Sequence, residues 1–559
     1  MIRGYLVETV RQKMNKKISN TLASALNETY SYLSMKYDSR DLNVLTKILS
    51  DIVEIPDFVF SKTTKNPETY ENLQEFLSTL NEKESIRKSK GVYYTPTDVV
   101  RFIIDNTIKS SYDKLLTTGL HVMDLNGIPY QSFCFDKRVL DPTCGAGEFI
   151  LGMLEAKFDL IDNRTTNVPE SWVKKIISTI YGNDVNKEST SISKIRLFLC
   201  ALHRYGISKC LNLAQILNIN FSNKDFISTL PNFPCKFDLI IGNPPYVEDS
   251  KSGLKLSNEY GNIYANVLKN SSDILDTEGA LGFVIPLSYV STPRMKKIRE
   301  ELFLRIPEQF ILSYADRPDC LFKSVHQKLC ILIGNNKKAN KCIYTGNYQY
   351  WYKEERNFIF DRIIAVKNNF VTEEYIPKLG TSTDVEIYKK ISTTKDRASL
   401  IDLQSEGDNF VFINMRAAFW VKAFRQKHAG TEYKVFTFDS PELADYFSCL
   451  VNSSLFWWYW ICVSDCWHIT NKELRGFFVP KSFNTKLAVE LATALENKLE
   501  STKKYVGTKQ TEFEYKHKLC LEEIHAIDDY INRQFGLTES ESIYVKSFAF
   551  RYRIGGGAK

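Results

Sequence analysis

The 559-residue chain is too long for a single hydrophobic core, so about two to four domains are expected. Its 43% hydrophobic and 25% charged residues are ordinary for a soluble globular protein, and the chain has no internal repeat or low-complexity tract. The net charge of +7 is mild for this length, so it permits an anionic partner without requiring one.

Cysteine usage and the apolar runs indicate a cytoplasmic protein. The twelve cysteines include no CxxC pair, which favours reduced thiols. Cys462, Cys466 and His468 are three neighbouring ligand types without a fourth, a weak zinc signal, and we expect no metal. The N-terminus lacks the apolar region of a signal peptide. The run "LFWWYWICV" is shorter than the ~20 residues that cross a bilayer, so it predicts core or a cleft wall.

Taken in chain order, the predicted elements divide the chain into four regions. Residues 1–90 have helical apolar spacing and many polar residues. Within 91–339, a helix starting near Pro96 precedes an alternation of short apolar strands and amphipathic helices, which predicts an α/β domain with a parallel, doubly wound sheet. Residues 340–480 are aromatic, basic and irregular, with a mixed, β-rich pattern, and residues 481–559 return to helical spacing.

The first candidate site is the stretch "VLDPTCGAGEFI", in which a strand leads through a glycine-containing loop into a helix. Glycines let a backbone approach a ligand closely, and the helix N-terminus offers free N–H groups. The third glycine of the dinucleotide fingerprint is missing, which argues against a nicotinamide cofactor. The candidate ligand-binding residues of this loop are Asp141, Pro142, Thr143, Cys144, Gly145 and Gly147.

Two further acidic residues follow predicted strands. Asp184 in "YGNDVN" suits the hydroxyls of a ribose, although an ordinary solvated acid at a strand end competes with that interpretation. Asp225 and Phe226 in "NKDFIS" suit the amine and the ring face of a purine. Taken alone, however, they are better explained as a turn aspartate and a core phenylalanine.

The strongest signal is "NPPY" at the end of the strand "FDLIIG". Asn243 brings a side-chain carbonyl, and Pro245 holds Pro244 extended, so two rigid acceptors converge beside the ring of Tyr246. An amino group on a heteroaromatic ring is a poor nucleophile because its lone pair is delocalised. Acceptors that hydrogen-bond to the two amino hydrogens return electron density to the nitrogen, which is a form of electrostatic catalysis. The alternative, a stiff turn, explains neither the amide nor the motifs upstream.

With these motifs in order, the chain resembles the gamma-class N6-adenine DNA methyltransferases, the TaqI-like and Eco57I-like enzymes. The resemblance covers roughly residues 90–335, and more loosely the rest. It implies a Rossmann-like S-adenosylmethionine-dependent methyltransferase domain with a helical N-terminal extension and a C-terminal α/β target-recognition domain. It also implies double-stranded DNA as substrate. The recognition sequence and the presence of a separate restriction endonuclease or another defence-system subunit are left open.

The resemblance also implies roles for individual residues. "DPTCGAGEF" is similar to the cofactor loop, Asp184 to the ribose acid, and Asp225 with Phe226 to the adenine clamp. "NPPY" is similar to the catalytic tetrapeptide, and "DCLFKSVHQKLCILI" to a later segment whose aromatic residue, here Phe322, stacks on the target base. Three residues would line the methionine end of S-adenosylmethionine, namely Tyr94, Thr95 and Pro96.

Three other functions are alternatives to DNA adenine methylation. Protein glutamine N5-methyltransferases resemble the same motif set, but they are small and lack a large aromatic-basic C-terminal region. A bifunctional restriction enzyme would need a nuclease motif, yet no Glu-x-Lys follows Pro56-Asp57 before residue 90. Glu432-Tyr433-Lys434 lies far downstream. A non-catalytic DNA-binding subunit would not need the intact tetrapeptide.

Overall fold

The structure is a computed structural model that describes residues 19–63, 67–80, 95–112, 128–228, 230–254, 260–322, 326–337, 341–428, 431–507 and 513–555. Its strands are β1 Val139–Asp141, β2 Ile180–Asn183, β3 Phe221–Ser222, β4 Phe237–Gly242, β5 Leu275–Pro286, β6 Glu308–Tyr314, β7 Leu329–Asn335, β8 Cys342–Thr345, β9 Val366–Lys367, β10 Arg397–Ser399, β11 Asn409–Asn414, β12 Lys422–Phe424, β13 Tyr433–Phe438, β14 Phe478–Pro480, β15 Lys504–Tyr505 and β16 Phe513–Glu514.

Its helices are α1 Asn20–Lys36, α2 Ser39–Val53, α3 Tyr70–Thr79, α4 Thr97–Ser111, α5 Glu148–Asp162, α6 Glu170–Ile177, α7 Lys187–Tyr205, α8 Leu213–Asn220, α9 Ile263–Ile274, α10 Ser288–Ser291, α11 Lys296–Arg305, α12 Ser382–Ser392, α13 Pro441–Asn452, α14 Ser454–Val463, α15 Asn471–Gly476, α16 Ala488–Thr502, α17 Leu521–Gln534, α18 Glu539–Ser547 and α19 Phe550–Ile554.

In the described ranges, the central sheet has nine strands in the order β3-β2-β1-β4-β5-β7-β6-β8-β9. The strands from β3 to β5 run parallel, as the sequence predicts, whereas β7 lies antiparallel between β5 and β6. The strand order reverses between β1 and β4, which makes the sheet doubly wound. The α/β class predicted from the alternation is therefore confirmed, and the antiparallel β7 departs from the predicted parallel sheet.

The helices pack against this sheet and against one another. Helix α4 contacts β4, β5 and β7, and α9 contacts β5. The N-terminal helices α1 to α3 all pack on α7, so they extend the α/β domain rather than standing apart from it. Between α5 and β2, the chain forms α6, whose N-terminal end follows Pro169.

The sheet also continues past residue 339, the predicted end of the catalytic region. β8 pairs with β6, and β9 pairs with β8, so residues 342–345 and 366–367 belong to its edge. Beyond them, β11, β12 and β13 form an antiparallel sheet that α13 covers. The apolar run expected to be core is helix α14, and all of its residues are buried.

All twelve cysteines lie in the described ranges, and none of them forms a disulfide. Within those ranges, no cluster of three His, Cys, Asp or Glu residues is placed to hold a metal ion. Of the helices described, none has both the length and the apolar character needed to cross a membrane.

Helix α4 buries a carboxylate, and this makes stability depend on pH. Asp105 is 4% exposed, and burial raises its pKa to about 7, against the opposing influence of Arg101 and Lys109. A folded-state pKa above the unfolded value means that stability falls as pH rises from about 4 to about 7. Asp105→Asn removes this ionisation, so we expect it to stabilise the protein more at high pH than at low pH. The gain in the free energy of unfolding relative to the wild type should be ~2–3 kcal/mol larger at about pH 8 than at about pH 5.

Thermal and urea unfolding at the two pH values measure this difference. Glu490→Gln, on the exposed surface of α16, is the matched control. An equal effect of Asp105→Asn at both pH values would contradict the prediction.

Candidate active site

The candidate site lies where the strand order of the sheet reverses. In open α/β sheets, ligands bind at this point, outside the carboxyl ends of the strands. Asp141 ends β1, and Asn243 directly follows β4, its parallel neighbour. A Cβ atom added at Gly242 would lie 2.8 Å from Asp141 Oδ1. The two strongest sequence motifs therefore meet at one place.

The loop between β1 and α5 is shaped by its glycines. Gly145 and Gly147 have φ angles of +52° and +94°, which L side chains rarely adopt. A Cβ atom at Gly145 would meet nothing within 4 Å, whereas one at Gly147 would lie 2.9 Å from Ser193 Oγ. Gly147 thus allows close packing on α7, and Gly145 leaves open space beside the loop.

Residues that sequence reasoning did not select hold this loop in place. Asn183, at the end of β2, donates from Nδ2 to Pro142 O at 3.0 Å, and its carbonyl accepts from Cys144 N at 2.8 Å. Arg196 of α7 donates to Ala146 O at 2.8 Å. The Asn183 side chain also donates to the carbonyl of residue 224, so it joins the loop to the segment after β3.

Two carboxylates flank the loop. Asp141 accepts from Thr143 N at 3.0 Å, and Asp184 accepts from Gly145 N at 3.0 Å and from Asn186 N at 2.8 Å. Burial raises the pKa of Asp141 well above its usual range, the bond from Thr143 opposes the rise, and the Asp184 carboxylate adds to it. Asp184 is half-buried at the carboxyl edge, next to the loop, as a ligand-binding acid would be.

The predicted purine clamp is divided between an accessible and a buried side chain. Asp225 is half-buried and accepts from Ile227 N at 2.9 Å, in a turn of the kind that the alternative interpretation describes. Phe226 is 3% exposed and belongs to the core. Contact of Phe226 with a ligand stays a prediction.

The amide of Asn243 is oriented by a residue far away in the chain. Its Nδ2 donates to Thr95 Oγ1 at 3.0 Å, and Thr95 is 3% exposed at the entrance to α4. With the nitrogen toward Thr95, the amide oxygen lies on the other side. Pro244 is buried and Pro245 half-buried, so the backbone after Asn243 is fixed by packing as well as by the proline rings.

Thr95 and Pro96 were predicted to lie against the cofactor. The structure brings Thr95 to Asn243, and Pro96 forms the N-terminal boundary of α4. Tyr94 lies outside the described residues.

Tyr246 opens onto a cavity of about 660 Å³. Its hydroxyl donates to Val284 O of β5 at 3.0 Å, which fixes the ring at the carboxyl edge. The cavity is also lined by Pro286, at the end of β5, and by Lys328, just before β7. Trp467, from the C-terminal half of the chain, lines it too.

Phe322, the predicted second stacking residue, is 1% exposed and is not among the residues that line this cavity. Its packing in the core gives the ring no open face here, and the stacking role stays a prediction. Of the three residues in the weak zinc signal, Cys462 and Cys466 have buried thiols. The Cys466 thiol lies 3.7 Å from Ile461 O.

The reversed strand order, the glycine loop and the motif after β4 define a Rossmann-like methyltransferase domain. Residues 178–312 match the model of the Eco57I restriction-modification methylase family. That segment contains Asp184, Asp225 and the whole tetrapeptide that begins at Asn243. This part of the chain is therefore similar to restriction-modification DNA methylases.

Two curated relatives and one solved structure show the extent of the similarity. The modification methylase CviBIII of Paramecium bursaria Chlorella virus NC1A is 24% identical over 53% of this chain and 59% of its own length. The type II methyltransferase M.BstVI of Geobacillus stearothermophilus is 24% identical over 34% of this chain and 35% of its own length. This chain therefore spans less than two thirds of either relative.

The solved structure is that of the type IIL restriction-modification enzyme MmeI in complex with DNA. It covers 96% of this chain and 99% of its own, with 10% identity and a TM-score of 0.53. The likeness is one of fold, and it extends through the C-terminal half.

Proposed function

We propose that this protein is a site-specific DNA adenine N6-methyltransferase that uses S-adenosylmethionine and acts on an adenine flipped out of duplex DNA. We further propose that it is the modification component of a restriction-modification or related defence system. The observation that carries the proposal is the Asn243 amide. It is held by Thr95 beside Tyr246, at the point of the sheet where the glycine loop lies.

The loop fits a polar, nucleoside-containing cofactor. Gly145 leaves open space, and in the part of the chain that the structure describes, the buried Thr143 hydroxyl oxygen has no hydrogen-bond partner. The half-buried Asp184 carboxylate beside the loop suits ribose hydroxyls, and Asp225 suits an amine. When bound, S-adenosylmethionine supplies an electrophilic methyl group.

The residues after β4 would prepare the base to receive that methyl group. The Asn243 carbonyl and the Pro244 carbonyl accept the two hydrogens of the adenine amine and draw its nitrogen toward tetrahedral geometry. Because both acceptors are fixed before the reaction, they require little reorganisation as charge develops. Tyr246 supports the ring of the base, which must leave its stack at a cost of a few kcal/mol.

The size of the chain and its relatives favour DNA over a protein glutamine. The C-terminal half carries a separate antiparallel sheet and several helices, far more than a small amide methyltransferase needs. The curated relatives are named as modification methylases. We infer that the part of residues 340–480 that follows the edge strand β9 chooses the DNA sequence, with 481–559 supporting it.

Two measurements test the proposal. Calorimetry on metal-stripped protein should detect binding of S-adenosylmethionine, and Asp184→Ala should weaken it by roughly tenfold or more, since a hydrogen bond to a charged group contributes about 1.5–3 kcal/mol. Asp162→Ala, an exposed acid at the end of α5, is the control.

Genomic DNA from cells that express the protein is then sequenced with detection of modified bases. N6-methyladenine at one recurring sequence is the expected result. Modification of cytosine, or of no base at all despite cofactor binding, would overturn the proposal.

A further inference from the structure

The cavity beside Tyr246 is bordered by an indole from the C-terminal half of the chain. Trp467 lies between α14 and α15 and is half-exposed. Its backbone is fixed on both sides, because its N–H donates to Asp465 Oδ1 at 2.8 Å and its carbonyl accepts from Ala417 N at 3.1 Å. The ring therefore stands at the cavity on a rigid support.

Three positive side chains surround this one indole. Lys328 Nζ lies 4.3 Å from the ring centroid, and the guanidinium carbons of Arg416 and Arg317 lie at 5.1 Å and 5.7 Å. Such cation–π contacts attract each cation to the ring. Arg317 and Lys328 lie in the connection between β6 and β7, and Arg416 follows β11, so the fold brings cations from two separate parts of the chain to this indole.

Three acids line the cavity, namely Glu248, Asp316 and Asp465, and among the described residues they form a salt bridge with only one of these three cations. Asp316 lies 3.5 Å from Lys328, and the Asp465 carboxylate accepts from backbone N–H groups. Within the described part of the chain, neither Arg317 nor Arg416 has a salt bridge, and both are exposed. Like charges held together repel one another, and a bound anion would relieve that repulsion.

We propose that Trp467, Arg317, Lys328 and Arg416 form a clamp for the phosphodiester backbone of the substrate strand, next to the nucleotide whose base enters the Tyr246 cavity. The indole positions the cations, and the two arginines contact phosphate. The proposal rests on the proposed function for the identity of the substrate as DNA. It assigns to the C-terminal half a role at the reacting nucleotide in addition to the choice of sequence.

The test measures DNA affinity directly, without methyl transfer. Binding of a fluorescein-labelled duplex of mixed sequence is followed by anisotropy between about 50 and about 200 mM salt. Each phosphate contact contributes about 0.9 to the slope of log affinity against log salt. The slope for the Arg317→Ala/Arg416→Ala variant should therefore be shallower by about 2. Raising the salt over this range should then reduce the affinity of the variant for DNA by a factor roughly tenfold smaller than for the wild type.

Matched variants separate the clamp from general charge and from folding. Arg40→Ala/Arg533→Ala removes two exposed arginines from helices that do not line the cavity, and its slope should stay near the wild-type value. Trp467→Ala should weaken DNA binding and leave cofactor binding intact, and Trp467→Phe should restore part of the loss.

The outcomes also separate this proposal from the assignment of function. An arginine variant that binds DNA with the wild-type slope overturns the clamp and leaves the assignment of function untouched. The clamp is equally refuted if Trp467→Ala weakens binding and the arginine pair does not, because the indole would then be stacking on a base. If the arginine variant shows the shallower salt dependence but the wild-type protein modifies no adenine, the clamp proposal is supported and the methyltransferase reaction is refuted.

Discussion

Asn243→Ala should lower the turnover of methyl transfer by roughly a hundredfold to a thousandfold, the usual cost of removing one preorganised group from a catalytic site. The change removes an acceptor for the adenine amine, and the loop that carries Gly145 stays intact. Binding of S-adenosylmethionine should therefore be nearly unchanged. Methyl incorporation into unmethylated genomic DNA at saturating cofactor measures turnover, and calorimetry measures cofactor binding.

A second variant, at Thr95, is measured in the same assays. Thr95→Val removes the hydroxyl that accepts from Asn243 Nδ2 at 3.0 Å. The Asn243 side chain then keeps its carbonyl acceptor but loses the hydrogen bond that orients it. We expect a loss of about tenfold, less than for Asn243→Ala, since one hydrogen bond contributes ~0.5–1.5 kcal/mol. Asn163→Ala, an exposed asparagine after α5, is the control. Wild-type turnover in Asn243→Ala would refute the mechanism.

The parts of the fold that the sequence predicted are those with strong local patterns. β1, β2 and β4 are short, largely buried strands, and β5 is a longer strand whose last eight residues are buried. Helices separate these strands, so their apolar runs stand out from the surroundings. Asp141 and Asn243 could be selected because each immediately follows such a run. Their proximity then follows from the strand order of a doubly wound sheet.

What the sequence did not reveal depends on contacts between distant residues. β8 has four residues and β9 has two, too few to show a periodic pattern, and the predicted boundary at 339 therefore cut the sheet. The bond from Asn243 to Thr95, like the position of Trp467 at the cavity, joins segments that no local pattern connects. Phe322 was chosen because its segment resembles one in the family, and such a resemblance does not indicate whether the ring is buried.

Tyr246→Ala should lower methyl transfer on fully paired DNA by roughly 5-fold to 100-fold, because stacking of a base on an aromatic ring is worth about 1–3 kcal/mol. Tyr246→Phe keeps the ring but loses the bond to Val284 O, so a loss of a few-fold is expected for one hydrogen bond. Duplexes in which the target adenine is mispaired cost less to open and should partly restore the alanine variant. Methyl-transfer rates on paired and mispaired duplexes, with Tyr505→Ala on the exposed surface as control, measure both effects. Equal activity of Tyr246→Ala and wild type on paired DNA, or no benefit from the mispair, would show that the ring does not hold the base.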